Sequence, residues 1–135
     1  MEKELLNTFN KELLLKDLCA RLPYGVKCIE KTPIEDFQDK NLWEIDRIRF
    51  DTDMFGMSNC YVCYGQYEDI HNIKPYLFPL SSMTEEQKIE EYKLMNSNFY
   101  ASTVELPDFY NKNHIDYRGL IPMGLANDAT GLNIY

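Results

Sequence analysis

Basic residues are scarce in this chain: 14 Lys and Arg stand against 22 Asp and Glu, a formal net charge of -8. Nonspecific nucleic-acid binding draws on Lys and Arg to displace counterions, so generic nucleic acid is not expected as a partner. An acidic mimic of DNA is disfavoured as well, because the acids are interleaved with Lys and Arg rather than gathered. Long apolar runs are missing; none approaches the ~20 residues of a membrane-spanning helix. The first stretch, MEKELLNTFN, is charged where a signal peptide would carry an apolar core. A cytoplasmic location without membrane association is therefore expected, with the four cysteines reduced. No phosphate-binding loop, GxGxxG or HExxH motif occurs. There is no internal repeat, low-complexity tract or linker.

What is present suits one domain over 1–135: the length is 135 residues and the apolar content 44 %, enough for a core without staples. Residues 8–22 read as a helix, with Leu14, Leu15, Leu18 and Leu22 at the three-four spacing of one face and Pro23 and Gly25 as its stop. YGVKCIEK (24–31) is a strand candidate and TPIEDFQDKN (32–41) a loop. LWEIDRIRF (42–50) and SNCYVCYGQY (58–67) are rich in aromatic and β-branched residues, as strands are. DTDMFGM between them, with Asp51, Asp53 and Gly56, suits a hairpin connection. The first of these strands changes parity between Trp43/Ile45 and Ile48/Phe50, which a bulge would reconcile, a short helix being the alternative. EDIHNIKPYLFPL (68–80) holds Pro75 and Pro79, which cannot donate to a ladder, so an edge strand or connector is expected.

Thr84-Glu85-Glu86-Gln87 has the spacing of a capping box. Ser82 through Glu85 fits the same template, but Thr84 places Glu85 and Glu86 in the first turn, at the positive end of the helix. This helix is expected to reach Asn96 with Ile89, Tyr92 and Met95 inward. SNFYASTVELP (97–107) is ambiguous between loop and strand. PDFYNKNHI (107–115) resembles a short helix with Pro107 near its start. DYRGLIPMGLA (116–126) reads as another, capped by Asp116 and kinked at Pro122, and NDATGLNIY (127–135) as a tail of turn formers. The expected fold is α+β: an N-terminal helix, a small twisted, mostly antiparallel sheet open to barrel-like closure, and C-terminal helices.

Chemistry-bearing clusters are weak. Cys60-Tyr-Val-Cys63 with Cys19 and Cys28 supplies four thiols, but residues three apart on a strand point to opposite faces, and no helix follows to activate a redox CxxC. The cysteines are expected to be structural, with neither zinc nor disulfide. His71 and His114 are the only histidines, and neither sits in a local nucleophile signature. No catalytic residue, metal ligand or cofactor-binding residue is assigned. Ten tyrosines offer broad contact area with polar tips, which suits protein interfaces. In NHIDYRG, a helix starting at Asp116 would hold Arg118 at its positive end, an unfavourable place for a cation. Either an internal carboxylate, Asp108 or Asp116, compensates it, or an acidic partner does so from outside. His114, Asp116, Tyr117 and Arg118 are thus the candidate partner-binding residues.

Three blocks, LLLKDLCARLPYGVKC (13–28), IKPYLFPLSSMTEEQ (73–87) and NKNHIDYRGLIPMGLA (111–126), together resemble an uncharacterised family of short proteins from gut Bacteroidetes, many of them carried by prophages and other mobile elements. The resemblance implies a bacterial or phage accessory protein in the cytoplasm and implies no activity or cofactor. The function expected is binding to another protein without catalysis. A small enzyme with a cleft between sheet and C-terminal helices is the alternative, and a nucleic-acid-associated factor a second. The identity of the partner and the oligomeric state are left open.

Overall fold

The computed structural model describes residues 2–30, 42–52, 54, 58–63 and 67–135. The fold is α+β, and the chain divides into two compact units, 1–76 and 77–135. The expected loop at 32–41 and the hairpin residues Asp53 and Gly56 lie outside the described residues.

In the first unit, α1 (Glu2–Arg21) begins earlier than the expected residue 8. Leu14 and Leu18 are buried as their spacing requires. Asp17 and Arg21 share that face, both 0 % exposed, with Arg21 Nε donating to Asp17 Oδ2 at 2.8 Å. Leu22–Tyr24 forms a 3-10 turn with Pro23 at its start. Gly25 follows at φ +73°, and a Cβ there would lie 2.8 Å from Glu44 Oε1, so this site accepts only glycine without strain. The turn delays the strand expected from Tyr24, and β1 spans Lys27–Glu30.

The expected strand 42–50 is two strands. β2 (Trp43–Glu44) pairs antiparallel with β1, while β3 (Arg47–Thr52) pairs antiparallel with β4 (Ser58–Cys63). At the changeover the Ile45 N–H donates to the Val26 carbonyl at 3.0 Å and the Asp46 N–H to the Cys63 carbonyl at 2.9 Å. The change of parity is therefore a change of sheet, neither a bulge nor a helix. β5 (Tyr67–Asp69) joins β4 antiparallel, so the expected strand 58–67 is also divided. Among the described residues the strands form separate sheets and no closed barrel.

β6 (Ile73–Pro79) is a full strand with pairing partners in β1, β7 (Ile115–Asp116) and β8 (Asn127–Asp128), neither an edge strand nor a connector, and it runs through the division between units. Ile73–Pro75 pairs antiparallel with β1, and Phe78–Pro79 pairs parallel with β7. Each proline occupies the last rung of its ladder, where a missing donor costs least.

In the second unit α2 (Glu85–Asn96) starts at Thr84 with both halves of the capping box made: Gln87 N–H to Thr84 Oγ1 at 3.1 Å and Thr84 N–H to Gln87 Oε1 at 3.0 Å. The stretch expected as loop or strand is helical. Ala101–Glu105 forms a π turn, closed by the Leu106 N–H donating to the Ala101 carbonyl, and leads into α3 (Leu106–Lys112). Pro107 brings no N–H and its ring crowds the preceding turn. The widened turn relieves that crowding and carries an extra residue. The helix expected from Asp116 is absent. Gly119 and Gly124 take φ +77° and +76°, and the chain runs in turns around Pro122. Within the expected tail, β8 (Asn127–Asp128) pairs with β6, and the Ala129 N–H donates to the Leu77 carbonyl at 2.8 Å. Leu77, Ile115, Leu120, Leu125 and Ala129 are buried in this unit.

Candidate functional site

The four residues singled out from NHIDYRG have local tasks in the structure. Asp116 is 5 % exposed, and its two carboxylate oxygens accept the Leu120 and Ile121 N–H groups at 2.8 Å each. It caps a turn rather than a helix. Arg118 therefore does not stand at a helix's positive end, and the electrostatic reason for an external anion lapses. Its guanidinium carbon lies 4.5 Å from the centre of the Tyr117 ring, a cation–π distance. Tyr117 also stacks on Tyr110, at 4.9 Å and 20°. His114 adopts φ 57° and stacks on Tyr135 at 3.6 Å. Tyr117 and Arg118 are thus brought together, while His114 and Asp116 serve the ring of Tyr135 and the 120–121 turn.

The cysteines carry free thiols. Cys28, Cys60 and Cys63 are buried and Cys19 is exposed. Burial, with the nearby Glu30 carboxylate, pushes the Cys28 thiol up to about 12. Burial likewise raises Cys19 and Cys60. Such thiols are poor nucleophiles at neutral pH. Among the described residues no group of three or more His, Cys, Asp or Glu side chains gathers to hold a metal ion.

Exposed apolar residues gather in the first half of α1, at Leu5, Leu6 and Phe9, and on α2. No residue of this helix is fully buried. Its inner face is Gln87, Glu91 and Leu94, half-buried at i, i+4, i+7 spacing. Glu91 Oε2 accepts from the Tyr110 hydroxyl at 2.7 Å, and Gln87 Nε2 makes a long contact of 3.5 Å to Asn113 Oδ1. Burial first, then the hydrogen bond and charge of Glu91, raise the Tyr110 phenol above its ordinary range. The apolar residues Ile89, Tyr92 and Met95, expected inward, are 56 %, 69 % and 55 % exposed. The helix is inverted: its polar stripe meets α3 and its apolar stripe meets water. Beyond it Phe99 is 83 % exposed, Tyr100 61 % and Val104 42 %.

No known family model, curated protein or solved structure matches this chain.

Fully burying an aliphatic or aromatic side chain of this kind contributes about 1.5–3 kcal/mol, which the isolated chain forgoes several times over at this surface. A few apolar residues scattered on a surface are ordinary. A run of them on one helical face, with aromatics and a methionine, is the composition of an interface core. Sequence periodicity found the stripe but assigned it to the wrong side. The signal it missed lies in α3 and the residue that ends it, where Tyr110 and Asn113 present polar tips to Glu91 and Gln87.

Proposed function

We propose that this chain is a binding module without catalysis, which engages another protein through the outward face of α2 and the residues after it. The observation that carries this reading is the inversion of α2, whose Ile89, Tyr92 and Met95 point to solvent while Glu91 and Gln87 are used inside. Tyr and Phe supply large contact areas at modest ordering cost, Tyr is among the side chains in which interface hot spots concentrate, and Met is enriched at interfaces with them. The resemblance of three blocks to mobile-element proteins adds the context of a phage or bacterial accessory protein.

The test is affinity capture from a lysate of the native host with the natural chain and with an Ile89→Ser/Tyr92→Ser/Phe99→Ser variant. A defined protein retained by the former and lost by the latter, with unchanged circular dichroism, is the expected result. Equal capture by both chains would reject this face as the binding surface.

A further inference from the structure

We infer that the partner segment on this face is an amphipathic helix whose apolar stripe is flanked by Lys or Arg; this rests on the binding-module reading above. Three features of α2 lead there.

The first is the backbone. α2 is a regular helix of 12 residues, so its mid-helix N–H and C=O groups are spent within it. A partner cannot add a strand to this face as it would to an open sheet edge; recognition has to run through side chains. Ile89, Tyr92 and Met95 recur every third position over roughly two turns, a row of ridges that another helix can interdigitate with.

The second is the kind of side chain. Tyr92, Phe99 and Tyr100 are 69 %, 83 % and 61 % exposed, and each aromatic can bury ~150–250 Å². Those three alone supply a large part of the ~800 Å² that one partner contributes to a standard interface. Met95 is deformable and fits an irregular apolar surface.

The third is charge. Leaving aside Glu91, which is turned inward to Tyr110, residues 85–112 contain five acids (Glu85, Glu86, Glu90, Glu105, Asp108) against three bases (Lys88, Lys93, Lys112), a net of -2. One of the bases, Lys88, is already held by Glu85 at 3.2 Å. By helical spacing, the Ile89 side of the stripe is flanked by Glu86, Glu90 and the exposed Lys93, an excess of one acid. A second copy of the chain would bring the same negative field against itself, within a molecule of net charge -8. An anionic lipid surface meets the same repulsion. A helix with a basic border meets attraction and is steered into register.

Two designed peptides probe this directly, one an amphipathic Leu–Lys helix and the other its Leu–Glu counterpart, titrated by fluorescence anisotropy. The Leu–Lys peptide is expected to bind and the Leu–Glu peptide not to. Ile89→Ser/Tyr92→Ser should weaken binding about tenfold or more, the size of a lost hot spot. Glu86→Gln/Glu90→Gln should weaken it about threefold and reduce its dependence on salt. Leu–Lys binding that is indifferent to Ile89→Ser/Tyr92→Ser would overturn the proposal, since charge alone would then explain it. Absence of binding by either peptide would also overturn it, and the capture experiment decides separately whether the face binds any protein. Sedimentation of the natural chain and flotation with phosphatidylcholine–phosphatidylglycerol vesicles complete the set. A dimer lost on Tyr92→Ser would make the occupant a second copy and keep the binding reading. Vesicle binding lost on the same change would make it a membrane and remove both.

Discussion

In α1 the face carrying Leu14, Asp17, Leu18 and Arg21 is shut off from water, to the point of enclosing an ion pair. In α2 the corresponding apolar row stands in solvent, and the inward residues are a glutamate, a glutamine and a half-buried leucine. Both helices satisfy the same periodicity rule. The difference is what each is offered to pack against. The second half of α1 is held in place by its own chain's core, while Leu5, Leu6 and Phe9 in its first half are exposed. α2 is held by its cap, by half-buried Leu94 and by polar contacts to Tyr110 of α3 and to Asn113 just after it, which leaves its apolar row for something else. Helical amphipathicity alone shows that a face will be covered, and says nothing of which molecule covers it.

The comparison breaks most sharply at Asp17. Removing this carboxylate takes a buried partner from Arg21, and breaking a buried pair from one side costs about 3–5 kcal/mol. Asp17→Ala should show a loss of that size in urea unfolding; a loss under about 1 kcal/mol would mean that α1 is no better anchored than α2. Next comes the cap that holds α2. Thr84→Ala should cost about 1 kcal/mol, typical of a lost hydroxyl N-cap, with reduced helical circular dichroism. Ser82 should matter less, because its hydroxyl donates to the Pro79 carbonyl at 2.7 Å and does not cap.

The smallest effect sharpens the inner face of α2. The folded state holds the Tyr110 proton more tightly than the unfolded chain does, whose phenol titrates near ~10. Stability from this group is whole below about pH 10 and declines as pH rises beyond it. Melting temperatures followed from neutral to alkaline pH should fall more steeply in the natural chain than in Tyr110→Phe. Parallel curves would show that the Glu91–Tyr110 contact does not hold α2.

Legibility in the sequence followed the range of the interactions. The capping box at Thr84 and Gln87 was plain, because both partners lie within one turn. The helix around Leu14 and Leu18 and the α+β class were plain for the same reason. The division of 42–50 was visible only as a change of parity, since its cause is pairing with Val26 on one side and Cys63 on the other. Helical structure at 99–105 was hidden because Val, Thr and a following proline suggest strand or loop, and a π turn is a response to Pro107 that no local propensity encodes. The candidate face was read correctly as a stripe and incorrectly as core, a decision that belongs to α3. The expected helix at 116–126 gave way to two glycines at positive φ and a carboxylate that satisfies their turn.

The passage from β2 to β3 bears on how the first unit comes apart. Two residues, Ile45 and Asp46, end one ladder and begin another, with backbone bonds reaching Val26 and Cys63. Ile45 is itself 1 % exposed. Opening either sheet at this point pulls on the other through a single peptide unit, so fraying is not local there. The segment acts as a shared seam, and the amides at Ile45 and Asp46 belong among the slowest to exchange with solvent, released when both sheets separate together.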